Sequence, residues 1–281
     1  MQAEQSDSRL KLFYFQTIIL LIAFSVLYFP FIQTMIKDWG ENDNYSHGYL
    51  IPFIFGFMIY LLRDELSKIK IVPSNWGLLI IIMGLCQLMV AKIGTEYFLQ
   101  RTSMIVVLFG MSLFLFGKKI TKKVSIPLFY LIFMVPVPVI LWNHVAFPMQ
   151  LFASSITETI IQAMGITVYR EGNVIHLTET TLEVVDACSG LRSLISLFAL
   201  SGAFTFIVDL SNLKRWLLFF SAAPIAILIN IIRLVSTAVL ARWMGADAAQ
   251  GFLHDFSGMV VFAGGIALLY CVYLLLSRQK K

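Results

Sequence analysis

A cysteine between an acidic and a basic residue is the part of this sequence best suited to chemistry. Cys188 follows Asp186 and precedes Arg192, where a polar stretch meets a long apolar one. The thiolate is the nucleophilic form of cysteine, and a nearby cation or a helix N-terminus favours it. Cys188 and Arg192 are four residues apart and so share one face of a helix. The pattern predicts a nucleophile, and the alternative is a buried cysteine beside an arginine that reaches the lipid headgroups.

An arginine inside an apolar run is the second candidate. Arg233 stands in Asn230-Ile231-Ile232-Arg233-Leu234, roughly 8 residues, or on the order of 12 Å, from the outer end of its run. An arginine at that depth costs about 2.5–3.5 kcal/mol on insertion scales, so it should face the protein interior and a partner. It either pairs structurally with Asp186 or with backbone carbonyls, or serves as a fixed cation for a developing oxyanion. Asn230, one turn away, would orient the guanidinium or add a donor.

A histidine supplies the candidate acid–base group. His254 stands in Gly251-Phe252-Leu253-His254-Asp255-Phe256, at the outer start of the last apolar run. It shares a leaflet with the candidate thiol and arginine, which favours an acid–base role over that of an isolated interfacial histidine. Either Asp186 or Asp255 orients the imidazole, and the sequence does not choose between them.

His47, in Tyr45-Ser46-His47-Gly48-Tyr49, is a second histidine of the same leaflet. It either lines a substrate groove or marks an interfacial belt with Tyr45 and Tyr49, and we favour the belt. The four histidines show no i, i+4 pairing and no cysteine neighbours, so no metal site is indicated. No glycine-rich loop follows a strand, so no nucleotide or other cofactor is expected.

The composition of the chain indicates which class of protein positions these residues. The 281 residues are 59% hydrophobic and only 13% charged, against about 25% charged in soluble domains. The chain is therefore an integral membrane protein, predicted as a single all-α polytopic domain over residues 1–281. The scattered cysteines Cys86 and Cys271 fall inside apolar runs, as small buried hydrophobes do. Basic residues are confined to short loops, which argues against a nucleic-acid partner.

Eight apolar runs are long enough to cross a bilayer. They cover about 12–35, 46–62, 76–93, 99–117, 125–142, 188–209, 216–240 and 256–276. At the outer turn between the third and fourth runs, Glu96 and Arg101 are predicted to form an ion pair.

The basic residues that flank the runs predict the orientation of the chain. They are Arg9, Lys11, Arg63, Lys68, Lys70, Lys118, Lys119, Lys122, Lys123, Lys214, Arg215, Arg278, Lys280 and Lys281. Because all of these fall on one side of the predicted topology, both termini are expected to be cytoplasmic. The candidate chemistry then faces outward, away from the cytoplasm.

The segment from Asn143 to Ala187 is the one sizeable outer-face insertion. The stretch Leu151–Gly165 has a helical period of apolar residues and predicts a small interfacial helix. The stretch Ile166–Leu177 alternates around Arg170-Glu171-Gly172-Asn173, which predicts a β-hairpin. A strand-like piece, Leu182–Val185, leads into Cys188.

Three ordered motifs resemble the exosortase family of bacterial integral-membrane enzymes, relatives of the archaeosortases. They are Ala187-Cys188-Ser189-Gly190-Leu191-Arg192-Ser193, Asn230-Ile231-Ile232-Arg233 and Gly251-Phe252-Leu253-His254-Asp255-Phe256-Ser257-Gly258. The resemblance extends to Tyr169-Arg170-Glu171-Gly172-Asn173-Val174-Ile175-His176-Leu177 and Ser46-His47-Gly48-Tyr49-Leu50-Ile51-Pro52, and so spans nearly the whole chain.

The resemblance implies a cysteine transpeptidase or protease that sorts exported proteins. Its substrates would carry a C-terminal signal made of a short Pro-Glu-Pro-type motif, an apolar span and a basic tail, in processes linked to exopolysaccharide. The family's proposed cysteine, arginine and histidine fall on Cys188, Arg233 and His254. Arg192 would tune the thiol or bind the acidic residue of the motif.

Two other classes of function fit a polytopic chain with inward arginines. One is a transporter or flippase, although no pair of matching Gly- or Pro-broken spans is present. The other is a non-catalytic scaffold for exopolysaccharide export. The sequence indicates neither an oligomeric state nor the acceptor nucleophile, which is an amine or water.

Overall fold

The computed structural model describes residues 2–178, 181–183, 191–244 and 252–278, with side chains for 13–178, 181, 192–243 and 259–278. The α-helices are α1 Gln2–Glu41, α2 Ile51–Leu66, α3 Trp76–Ile93, α4 Tyr97–Phe116, α5 Lys118–Tyr130, α6 Val139–Ala163, α7 Leu191–Ile207, α8 Asn212–Phe220, α9 Ala222–Met244 and α10 Phe252–Arg278. Two 3₁₀ helices cover Asp43–Tyr49 and Leu131–Met134, and three strands are β1 Val168–Glu171, β2 Val174–Leu177 and β3 Thr181–Glu183.

The fold is that of an all-α polytopic membrane protein, as predicted. Within the described residues, seven helical segments are long and apolar enough to cross a bilayer. They are Phe13–Glu41, Asp43–Leu66, Trp76–Ile93, Tyr97–Phe116, Val139–Ala163, Asn212–Trp243 and Met259–Arg278, and Arg192–Ile207 is a shorter apolar helix. Large apolar side chains such as Phe53 and Ile93 are exposed on these helices, which suits contact with lipid.

The predicted limits of the fifth apolar run, 125–142, are wrong. The helix instead begins at Lys118, continues from α5 through the 3₁₀ helix Leu131–Met134, and ends before Pro136. Pro136 and Pro138 disfavour helical conformation in the residues that precede them, which explains the break. A new helix, α6, then starts at Val139. The interfacial helix predicted at Leu151–Gly165 is the second half of this 25-residue helix.

The first of two compact units, Met1–Pro138, contains a close helix pair. A Cβ placed on Gly77 of α3 would lie 2.6 Å from the carbonyl oxygen of Gly110 in α4. A Cβ on Gly84 would lie 2.7 Å from Cγ2 of Val107. Small residues let two membrane helices approach until their backbones touch, and α3 and α4 use them in this way.

The predicted ion pair between Glu96 and Arg101 is wrong. Arg101 is 6% exposed and pairs with Asp38 of α1. Glu96 caps α4 instead, since its carboxylate accepts a hydrogen bond of 3.1 Å from the backbone N–H of Leu99. Side chains five positions apart on a helix point away from each other, so this pairing was sterically poor.

The second unit, Val139–Lys281, carries the predicted hairpin. β1, β2 and β3 form an antiparallel sheet in that order, with Gly172 at φ +63° in the turn between β1 and β2. Glycine tolerates this left-handed conformation, which two-residue hairpin turns require. The inner face of the sheet packs in one apolar cluster with α6 and α9. Its members are Val168, Ile175, Leu177, Ala153, Ile161, Ile231, Leu234, Ala238 and Ala241.

α7 and α10 run antiparallel to the α8–α9 pair. Lys214, near the start of α8, donates a hydrogen bond of 2.7 Å to the carbonyl of Leu276, near the end of α10. Arg215 donates one of 3.1 Å to the carbonyl of Val208, which follows α7. The end of α9 and the beginnings of α7 and α10 therefore lie at the same end of this unit.

Candidate active site

α9 carries the arginine and the asparagine that sequence analysis selected. Arg233 is 8% exposed and Asn230 is 3% exposed, and their spacing of three residues places them on neighbouring positions of the helix surface. Within the described part of the chain, Nδ2 of Asn230 has no hydrogen-bond partner. An amide donor that is buried without a partner costs about 1–3 kcal/mol, so it is retained at the expense of stability.

The depths of Arg233 and Arg192 along their helices can be compared from the level of a contact point that α7, α9 and α10 share. A Cβ on Gly265 of α10 would lie 3.1 Å from Cδ1 of Ile229 in α9 and from Cδ1 of Leu197 in α7. Arg233 lies one turn, about 6 Å, beyond this level toward the end of α9. Arg192 lies five residues before Leu197, or about 7.5 Å beyond the level in the same direction. The two arginines thus occupy similar depths on neighbouring helices.

Of the remaining candidates, Arg192, His254 and Asp255 belong to the helix starts at the same end of the second unit. Arg192 is in the first turn of α7 and is partly buried. Asp186 and Cys188 lie outside the described residues. His254 and Asp255 fall in the first turn of α10, and their side chains lie outside the described ones. The convergence of sulfur, guanidinium and imidazole therefore stays a prediction.

His47 belongs to the first unit and contacts a backbone carbonyl. Its Nε2 lies 3.0 Å from the carbonyl oxygen of Phe133. Nearby, Nε1 of Trp39 donates a bond of 2.8 Å to the carbonyl of Met134, and the Tyr45 hydroxyl donates one of 3.1 Å to the carbonyl of Val137. Three side chains around the 3₁₀ helix Asp43–Tyr49 thus hold the segment 133–137.

Sequence reasoning missed this clasp, which is the set Trp39, Tyr45 and His47 with the carbonyls of residues 133, 134 and 137. The available signal was Pro136-Val137-Pro138. Prolines end a helix and donate no N–H, so carbonyls near them need donors from elsewhere. The predicted belt of His47, Tyr45 and Tyr49 remains a prediction about the interface, but all three have hydrogen bonds to backbone carbonyls of the protein, that of Tyr49 going to Ile36.

Comparison with known proteins agrees with the motifs. The model of the transmembrane exosortase family matches residues 39–271 of the 281. No curated protein and no solved structure matches the chain.

Proposed function

Because this chain belongs to the transmembrane exosortase family, whose members are membrane protein-sorting transpeptidases, we propose that it is a cysteine-dependent one. In this proposal it cleaves the C-terminal signal of exported proteins, which consists of a Pro-Glu-Pro-type motif, an apolar span and a basic tail. The reaction takes place at the periplasmic face of the inner membrane, with both termini of the chain in the cytoplasm. The observation that carries the proposal is the buried pair Asn230 and Arg233.

The catalytic group of the proposal is Cys188 with Arg233 and His254. Cys188 precedes the first turn of α7, where the helix dipole and Arg192 would favour a thiolate. The contacts of Gly265 with Ile229 and Leu197 bring α7, α9 and α10 together one helical turn from Arg233, which supports a shared site at this end of the unit. His254 lies further along, in the first turn of α10, so its imidazole would approach from the outer side.

The chemistry proceeds in two steps that share one intermediate. The sulfur of Cys188 attacks the scissile carbonyl carbon, and the guanidinium of Arg233 and Nδ2 of Asn230 stabilise the negative oxygen that forms. The C–N bond then breaks while the imidazolium of His254 gives its proton to the leaving amine. The resulting thioester is attacked by an acceptor amine or by water while neutral His254 takes the proton of the attacking group, the C–S bond breaks, and the thiolate and the imidazolium are restored.

The carboxylates and Arg192 act on these groups rather than on the carbonyl. Asp186 or Asp255 orients the imidazole of His254. Arg192 tunes the thiol, or binds the acidic residue of the motif. The proposal requires a reactive thiol, Cys188, and a buried cation, Arg233, beside the scissile bond. A transporter or a scaffold needs no reactive thiol.

The test is processing of a reporter, a tagged exported protein that ends in a Pro-Glu-Pro tripeptide, an apolar span and a basic tail. Wild-type enzyme should shorten the reporter, and Cys188→Ala should leave it at full length. Cys86 and Cys271 are exposed on their helices, so the expectation that they are buried is wrong, and Cys86→Ser and Cys271→Ser serve as matched controls. Normal processing by Cys188→Ala, or loss in either control alone, would remove the case for this nucleophile.

A further inference from the structure

The small sheet before the proposed nucleophile leaves one strand edge open. β3 is last in the order β1-β2-β3, and among the described residues no strand pairs with its outer side. Glu183 ends β3 five residues before Cys188, a distance that an extended chain spans in at most roughly 17 Å. We propose that this edge binds an extended segment of the polypeptide substrate as a fourth strand. The inference rests on the proposed function and gives its mode of substrate binding.

The register of the hairpin decides which peptide groups of β3 face the open edge. Glu171 closes the two-residue turn with its partner on β2, and such closing pairs are hydrogen bonded. Because bonded and non-bonded pairs alternate, Ile175 directs its peptide groups toward β3, where it faces Leu182. The N–H and C=O groups of Thr181 and Glu183 therefore point outward, away from β2. A substrate strand would find donors and acceptors at both positions.

The rest of the sheet is held in place before any substrate arrives. Ile175 is fully buried on the inner face of the sheet. On the outer face, the rings of Tyr169 and His176 stack with centroids 6.0 Å apart, and Nδ1 of His176 lies 3.2 Å from Oγ1 of Thr181. A fixed edge loses little conformational freedom on binding, so peptide pairing there is favourable.

An extended polypeptide is the occupant that this edge fits best. A peptide near a bilayer must satisfy its backbone groups, and strand addition does so at every second residue. Because Cys188 follows Glu183 by five residues, a substrate strand paired with β3 would lie beside a segment close in sequence to the proposed nucleophile. A second copy of the protein could also pair at β3, and the experiment separates that outcome.

Disulfide crosslinking tests the pairing without chemistry at the active site. The full-length protein carries Thr181→Cys together with Cys86→Ser, Cys188→Ser and Cys271→Ser, and the reporter carries one cysteine at each of eight successive positions around its motif. Side chains on one face of a strand recur every two residues, so crosslinks should appear at alternate positions. A three- or four-residue spacing, no crosslink, or a disulfide between two copies of the Thr181→Cys variant would overturn the inference.

A backbone substitution provides the functional test. Thr181→Pro removes the outward N–H and should slow reporter processing about fivefold, as expected for one lost hydrogen bond. Thr181→Ala keeps that N–H and removes only the hydroxyl near His176, so it should process the reporter at close to the wild-type rate. Equal rates in the two variants would contradict the inference. If Thr181→Pro does not fold, the crosslinking pattern decides.

The two proposals fail in different ways. A wild-type enzyme that leaves the reporter intact, or a Cys188→Ala variant that processes it, contradicts the proposed function. A wild-type enzyme that processes the reporter, but shows no two-residue period in the crosslinks, contradicts only the pairing at β3.

Discussion

Nε2 of His47 lies 3.0 Å from the carbonyl oxygen of Phe133, 86 positions along the chain. The carbonyl belongs to the 3₁₀ helix that ends α5, just before Pro136 stops helical hydrogen bonding. The neighbouring carbonyl of Met134 accepts from Trp39 in the same way. His47, although part of an exosortase motif, therefore stabilises the fold of its own unit. His254, in contrast, is proposed to act in catalysis.

The first prediction separates the two histidines. His47→Ala leaves a partly buried carbonyl without its donor and should cost about 1 kcal/mol of unfolding free energy. Its kcat for the reporter should stay within a few-fold of wild type while the enzyme is folded. His254→Ala should leave the thermal unfolding temperature in detergent unchanged and lower kcat about 10²–10⁴-fold, as expected on loss of a general acid.

Trp39→Phe provides the matched control for the first prediction, because it removes one donor from the same clasp and keeps a ring. It should resemble His47→Ala in thermal stability and in kcat. A large loss of kcat in His47→Ala, without a loss of stability, would instead assign this histidine to the substrate groove.

Sequence reasoning was accurate for features that depend on residues close together in the chain and less accurate for those that depend on distant residues. The hairpin was predictable because Gly172 and Asn173 specify a turn by local backbone preference alone. The burial of Arg233 was predictable because an arginine inside an apolar run is too costly to face lipid. The length of α6 was not, because its first four residues were assigned to the preceding run and the rest to an outer-face insertion with an interfacial helix.

Long-range partners were beyond the sequence for a physical reason. Arg101 and Glu96 are close in sequence, but α4 directs their side chains apart. The partner of Arg101 is Asp38, which comes from α1. The donor to the Phe133 carbonyl, His47, comes from the connection between α1 and α2, and the donor to the Met134 carbonyl, Trp39, comes from the end of α1. Each depends on how helices pack, which periodicity does not encode.

The second prediction concerns the close pair of α3 and α4. Gly77→Ala adds a methyl group 2.6 Å from the carbonyl oxygen of Gly110, a backbone atom that cannot turn aside. The helices must separate, which should cost about 1–3 kcal/mol, the usual range for overpacking. A fall of several degrees in unfolding temperature, measured in detergent by scanning fluorimetry, is expected.

Gly56→Ala in α2 is the control for this helix pair, since a Cβ there has nothing within 4 Å. Alanine lowers the entropy of the unfolded chain and favours helix, so this variant should be neutral or more stable by about 0.5–1 kcal/mol. If both variants behave alike, the approach of α3 to α4 is looser than the backbone contact between Gly77 and Gly110 requires.

The third prediction uses the unpaired amide of Asn230. Asn230→Leu has a similar shape and removes a buried donor that lacks a partner among the described residues, so stability should rise by about 1 kcal/mol. Activity should fall at least tenfold if that donor serves the developing oxyanion. Opposite changes in unfolding temperature and in kcat/KM would be the signature of a functional amide. A loss of both would indicate a structural one.

The last prediction concerns the guanidinium of Arg233. Arg233→Lys keeps the charge but loses the planar fork of donors, which lysine cannot reproduce at a bidentate site. If Arg233 stabilises the tetrahedral oxyanion, kcat should fall about 10²–10³-fold while KM for the reporter changes little, because the interaction forms only in the transition state. Arg242→Lys, an exposed position on the same helix, should leave both parameters unchanged. A rise in KM with unchanged kcat would show that Arg233 binds the substrate in its ground state, and the oxyanion role would then have to pass to Asn230 or Arg192.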